Sequence, residues 1–244
     1  MVWVIGIDPR ARIVLALLFS IVVVSLHAMP LLLTTFAMAL VVLLGSGLPW
    51  RQTLKRMLAM DGFILIMLIM LPFTVPGDAW FEVWGLTATW QGFWRALEIA
   101  VKANAVILML LALVGSMESV TLGQALGKLR VPMALVHLLL FTVRYIEVLK
   151  EEYQRLRQAM KARAFRPGNN WHTYRSVGYL FGMLLVRAME RSERVMEAMK
   201  CRGFTGQLPM LVQLRMGLVD WLFMSVMLLA LSSLVFLEIY RVFI

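Results

Sequence analysis

The chain has 244 residues, of which 61% are hydrophobic and only 16% charged, with a mean hydropathy of +0.81. Soluble domains average about 45–50% apolar and about 25% charged residues, so this composition excludes a soluble globular domain and requires an integral membrane protein. The formal charge of +10 is not scattered. It sits between apolar segments, as basic residues do on the cytoplasmic side of a membrane protein, which argues against nucleic acid as the partner.

In chain order, Asp8-Pro9-Arg10-Ala11-Arg12 reads as a helix start, with Asp8 as cap and Pro9 in the first turn. The apolar run 13–26 follows as a first, retained transmembrane helix, because His27-Ala28-Met29-Pro30 is a poor cleavage site. Residues 31–44 return across the bilayer. Residues 45–59 read as a loop whose Arg51, Lys55 and Arg56 place it, and with it the N-terminus, in the cytoplasm. A third span, about 61–75, ends at Pro72 and Pro76. The loop 77–92 carries Asp78 and Glu82 among Trp and Phe residues and has no Lys or Arg, which suits an outer face with an aromatic belt. A fourth span, about 93–116, contains Glu98 and Lys102 four residues apart. These read first as a self-neutralising pair, with an ion relay as the alternative.

Lys128 and Arg130 mark the return to the cytoplasm, and Pro132 opens a long helix. Its first part, 133–143, is apolar but too short to cross a hydrocarbon core about 30 Å thick. Its second part, 144–161, is densely charged. After Arg166-Pro167-Gly168-Asn169-Asn170 a second helix repeats the design, apolar over 179–186 and charged over 187–200. From Arg144 to Arg215 there are fourteen Lys or Arg and six acidic residues. Residues 217–239, apolar except for Asp220 and Glu238, supply a last clean span. The fold expected is all-α: a polytopic membrane bundle of about five spans with two long cytoplasmic coupling helices. Its divisions are 1–131 (N-terminal transmembrane helices), 132–215 (coupling helices) and 216–244 (C-terminal transmembrane helix).

One phrase occurs twice: Ala159-Met160-Lys161-Ala162-Arg163-Ala164-Phe165 and Ala198-Met199-Lys200-Cys201-Arg202-Gly203-Phe204. The match extends upstream, Glu151 and Arg155 corresponding to Glu190 and Arg194. On a helix Glu, Arg, Ala and Arg at four-residue steps form one slowly drifting ladder. Pro167-Gly168 and Thr205-Gly206 follow as stop signals. Two helices are thus expected to end with an arginine held at the tip. Arginine's planar fork suits carboxylates or backbone carbonyls in a partner's groove. Ala164 and Gly203 would admit a partner backbone, and Phe165 and Phe204 would serve as apolar anchors. Anionic lipid headgroups and nucleic acid are the competing readings, but both would favour more Lys and no ordered repeat.

Catalytic constellations are thin. There is no His-Glu-x-x-His, no Gly-x-Ser-x-Gly and no Walker-type phosphate loop. His27, His137 and His172 read as packing or interface residues. The nineteen Met residues are spread as gap-fillers rather than set at ligand spacing. The single Cys201 excludes an internal disulfide and occupies the spacer position held by Ala162 in the first copy.

At these residues the sequence resembles the transmembrane T component of energy-coupling-factor (ECF) transporters, whose mark is a pair of Ala-Arg-Gly-like motifs ending two cytoplasmic coupling helices. Here they are Ala162-Arg163-Ala164 and Cys201-Arg202-Gly203, neither a perfect Ala-Arg-Gly. The likeness extends to Asp8-Pro9-Arg10, Val131-Pro132, Arg144-Tyr145 and the run 178–204, and looks most like the cobalt/nickel branch (CbiQ/NikQ). The resemblance implies a non-enzymatic subunit without cofactor or bound metal, in a bacterial or archaeal cell membrane. It would bridge two copies of a cytoplasmic ABC-type ATPase to a membrane substrate-binding subunit for cobalt or nickel, with a small accessory subunit as a further partner. The two tips would seat in grooves on the ATPases, and the apolar segments 133–143 and 179–186 would contact the substrate subunit. The alternatives from the residues alone are an intramembrane ion carrier or enzyme using Glu98, Lys102 and Asp220, and a basic anchor for anionic lipid.

Overall fold

The computed structural model describes residues 4–76, 79–83, 86–204 and 216–243. Asp78, Thr205, Gly206 and Arg215, named above, lie outside them. The chain divides into two units: 1–118 with 214–244, and 119–213, which is inserted between them in sequence.

In the first unit, α1 (Pro9–Ser25) starts as its sequence dictates. The Asp8 side chain accepts from the Arg10 N–H at 2.9 Å and Pro9 occupies the first turn, where its missing N–H costs nothing. Pro30 opens α2 (Met29–Gly45) in the same way. The next helix, α3 (Trp50–Thr74), corrects the sequence reading: Arg51, Lys55 and Arg56 lie on its first turns, not in a loop. Charge alone does not stop a helix. Proline does, and none stands between Pro49 and Pro72; the one weaker signal, Asp61-Gly62, lies beyond the basic residues and the helix runs through it.

A second correction concerns the stretch expected as a loop after α3, where the described residues form an antiparallel hairpin of β1 (Ala79–Val83) and β2 (Leu86–Thr89). Thr89 then does two jobs. Its hydroxyl lies 3.1 and 2.7 Å from the carbonyls of Pro72 and Val75 at the end of α3. It also receives the Gly92 N–H at 3.3 Å and so caps α4 (Trp90–Leu113). Gly92 has no room for a side chain, because a Cβ there would stand 2.8 Å from the Pro72 Cα and 2.9 Å from the Leu71 carbonyl. The α3–α4 crossing therefore requires glycine at this point.

The buried core of this unit is drawn from α1, α2, α4 and α8 (Leu218–Phe243). Phe19, Leu32, Leu108, Met109 and Leu113 are all nearly inaccessible, and Met227 and Leu231 close the cluster from α8. By contrast Leu65, Ile66 and Ile69 of α3 and Leu222, Val226 and Leu229 of α8 are exposed. Such faces are untenable in water and are what a helix presents to lipid. By length and composition three helical stretches among the described residues can cross a membrane: Thr53–Thr74, Trp90–Leu113 and Leu218–Arg241. At 17 residues each, α1 and α2 stand at the lower limit of about 17 for a span. The all-α membrane architecture holds, with the hairpin as its one described β element.

The second unit contains α5 (Ser119–Lys128), α6 (Met133–Ala162) and α7 (Trp171–Cys201). The sequence reading had no helix at α5. It takes in three glycine and leucine-rich turns too short for a periodic signal to stand out. The two long helices run as expected, and at 1.5 Å per residue each is about 45 Å long. Between them Asn170 caps α7, its side chain accepting from the Thr173 N–H at 2.9 Å and from the Thr173 hydroxyl at 2.6 Å. That hydroxyl in turn accepts from the Gly168 N–H at 3.1 Å, fixing the turn.

Candidate docking site at two helix ends

The doubled phrase proves to be one backbone motif made twice. α6 ends at Ala162, and Arg163 follows as its C-cap with φ −88° and ψ 22°. α7 ends at Cys201, and Arg202 follows with φ −90° and ψ 10°. Next comes a residue with positive φ, +58° at Ala164 and +78° at Gly203. The chain then folds back. The N–H groups of Phe165 and Phe204 donate to the carbonyls of Met160 and Met199 at 3.1 and 3.0 Å. Those of Ala164 and Gly203 donate to Lys161 and Lys200 at 3.0 Å in both copies. This pair of bonds is the Schellman closure, which satisfies carbonyls that a helix end otherwise leaves bare.

The closure assigns a reason to each residue type. The third position of the triplet is small because it is left-handed, a conformation that costs a residue with a Cβ roughly 1–2 kcal/mol and glycine nothing. At Gly203 crowding is not the cause, since a Cβ would meet nothing within 4 Å. The phenylalanine follows where a Schellman motif places its apolar contact. Phe204 lines a cavity of about 560 Å³ with Tyr145 and Leu149 of α6 and Val195 and Met199 of α7. Phe165 stands 6.3 Å from the His172 ring. Both rings are half-buried, while Arg163 and Arg202 are exposed. The backbone reversal and the phenylalanine thus hold each arginine outward.

The ladders behind the tips also match. Arg155 lies 3.9 Å from Glu151, and Arg194 lies 3.9 Å from Glu190. All four side chains are more than half exposed, so each pair contributes no more than a few tenths of a kcal/mol. The tie between the helices is elsewhere. Glu152 of α6, largely buried, accepts from Arg187 of α7, a contact no sequence spacing announces.

Of the residues of the ion-carrier alternative, Glu98 and Lys102 pair with each other and Asp220 stands apart. Lys102 donates to Glu98 at 2.7 Å, and His27 lies 3.1 Å from the same carboxylate. Asp220 sits at the other end of α1, accepting from the N–H of Asp8 at 2.9 Å and of Gly217 at 2.7 Å. A 17-residue helix separates the two groups by about 25 Å. Among the described residues no three His, Cys, Asp or Glu side chains are grouped to hold a metal ion.

Lipid-facing helices around a small core, with a long helical pair inserted between the spans, define a polytopic α-helical membrane subunit. Comparison with known proteins places it more closely. The profile of the CbiQ family, described as cobalt transport protein, matches residues 2–214, and the chain belongs to that family. It is similar to the energy-coupling factor transporter transmembrane protein EcfT of Listeria innocua, with 27% identity over 84% of this chain and 81% of that one. The protein of the same name from Staphylococcus aureus is 24% identical over 81% of this chain and 78% of its own. An uncharacterized protein of Methanocaldococcus jannaschii is 25% identical over 84% and 78%. The resemblance read from the two arginine phrases holds.

Proposed function

We propose that the chain is the non-catalytic T component of an ECF transporter, and that Arg163 and Arg202 are the tips by which it docks on a pair of cytoplasmic ABC-type ATPases. The observation that carries this reading is the repetition at α6 and α7. Two unconnected helix ends share one closure, one cap geometry and one outward arginine. Two equal tips suit two equal or similar sites. Catalysis belongs to the ATPases. The docking set is Ala162, Arg163, Ala164 and Phe165 with Cys201, Arg202, Gly203 and Phe204, supported by the ladders of Glu151, Arg155, Glu190 and Arg194.

In this reading the N-terminus and both tips are cytoplasmic. ATP-driven closure of the ATPases moves the tips, and the two helices act as levers on a membrane substrate-binding subunit. The exposed apolar residues Leu135 and Leu138 of α6 and Tyr179, Phe181 and Leu185 of α7 supply the contact surface for that subunit and for lipid. The family description, cobalt transport protein, supports cobalt or the chemically similar nickel as cargo, recognised by the substrate subunit and its small accessory subunit. The test is charge reversal of both tips. Arg163→Glu with Arg202→Glu should abolish metal uptake and co-purification of the ATPases; retention of both would sink the reading.

A further inference from the structure

The first unit carries two sets of polar contacts, one buried and one more exposed, and both tie the ends of α1 to the same two neighbours. At the C-terminal end of α1, Lys102 of α4 reaches the Val24 carbonyl at 3.3 Å and Glu98 at 2.7 Å, while Glu238 of α8 accepts from the His27 N–H at 2.9 Å. At the N-terminal end the contacts differ in kind. Arg12, 3% exposed, donates through Nη2 to the Ser116 hydroxyl just past α4. That hydroxyl donates to the Ala112 carbonyl at 2.7 Å. Asp220, 7% exposed, accepts from the Asp8 backbone with one oxygen and from Gly217 with the other. Reaching back to Gly217 from the third residue of α8, Asp220 also caps that helix.

The place of the second set in the chain gives it meaning. The chain leaves the first unit after Glu118 and re-enters it at Leu214. Ser116 stands two residues before the departure, and Asp220 six after the return. Arg12 and Asp8, four residues apart on one helix start, therefore hold both roots of the inserted helical unit. A guanidinium this deeply buried is costly unless it is held, and Arg12 Nε has no hydrogen-bond partner among the described residues. Apolar side chains of similar volume often serve stability at least as well in such a place, which points to a role for the charge besides stability.

We propose that Asp8, Arg12, Ser116 and Asp220 form a root clamp whose role is energy coupling: it makes the two ends of the lever unit move with α1 as one piece, so that displacement of the tips is delivered to the membrane unit. These are positioning residues, and the inference rests on the coupling role proposed above. Without the clamp each root yields separately, and hydrolysis continues while transport fails. The contacts at the far end of α1 have no root to hold and serve stability alone.

The experiment uses the whole transporter reconstituted in liposomes, with metal uptake, ATP hydrolysis and ATPase co-purification measured on the same preparations. Ser116→Ala and Arg12→Met should lower uptake about tenfold, the range of an ordinary coupling free energy, while hydrolysis and co-purification stay within about twofold. Ser116→Thr, which keeps the accepting hydroxyl, and Arg12→Lys, which keeps a charged donor, should retain most of the uptake. Lys102→Met at the far end should lower thermal stability and leave the ratio of uptake to hydrolysis unchanged. The proposal is overturned if uptake persists in Ser116→Ala and Arg12→Met. It is equally overturned if uptake and hydrolysis fall together, if the conservative variants fail to rescue, or if Lys102→Met uncouples to the same degree. Should Arg12→Met not fold, Ser116→Ala, which removes one hydroxyl, decides the matter. Failure of the docking reading would show separately, as ATPase retention by the doubly charge-reversed tips.

Discussion

The two units use polar residues in opposite ways. In the first, Arg12, Asp220, Glu98 and Lys102 are each matched with specific atoms of the same unit, Glu98 and Lys102 with each other along α4 and Lys102 also with the Val24 carbonyl. In the second, Arg155, Arg194, Arg163 and Arg202 are turned outward, and what is specific is the backbone that presents them. A charged residue matched to a partner within the membrane unit acts inside the chain, as a tie between its elements. Charged residues repeated in order on an exposed surface, with little internal partnership, are what the proposed docking role needs.

The contrast can be broken most directly at the tips. Arg163→Glu with Arg202→Glu should cost the complex its ATPases, yet leave the melting temperature of the chain within about 2 °C, because exposed charges contribute little to folding. A large fall in melting temperature would place the arginines in the fold rather than at an interface. Next in size is Glu98→Gln, which leaves the Lys102 ammonium half-buried without its carboxylate. A loss on the order of 2–3 kcal/mol is expected, largely recovered in the double variant Glu98→Gln with Lys102→Met. Thermal unfolding of the purified chain in detergent reads both.

Smaller effects distinguish the two tips from each other. Gly203→Ala introduces a Cβ at φ +78° and should destabilise by about 1 kcal/mol. Ala164→Gly removes one at φ +58° and should do the reverse. Equal signs would mean that space at the tip, not backbone conformation, selects the small residue. Smallest of all, Glu151→Ala or Glu190→Ala should change stability by no more than about 0.5 kcal/mol, seen as an almost unmoved unfolding transition.

The sequence made legible what is local or periodic. The start of α1 at Asp8-Pro9, the lengths of α6 and α7 and the equivalence of their ends all follow from caps, breakers and a repeat. The repeat was visible, but its physical basis was not, because φ +58° at Ala164 is not written in an alanine. Glycine at the matching position, Gly203, was the available signal. Charge misled at α3, where Lys and Arg suggested a loop and the absence of proline between Pro49 and Pro72 should have outweighed them. Contacts between distant residues were invisible: Arg12 with Ser116, Asp8 with Asp220 and Glu152 with Arg187 have no spacing rule to reveal them. An acidic residue inside an apolar run, as at Asp220 and Glu238, was the one hint that α8 holds internal partners.

Cys201 offers the most direct test of the docking tips. It is the only cysteine in the chain, it is exposed, and it stands next to Arg202. The rate at which a maleimide labels it can be compared between the chain alone and the chain assembled with its ATPases. Docking predicts that assembly slows labelling at least about tenfold, as burial of an exposed thiol at an interface does. The same slowing should appear for a cysteine at the equivalent position of the first tip, Ala162→Cys in a Cys201→Ser background. Labelling at the same rate in both states, with the ATPases demonstrably bound, would contradict it.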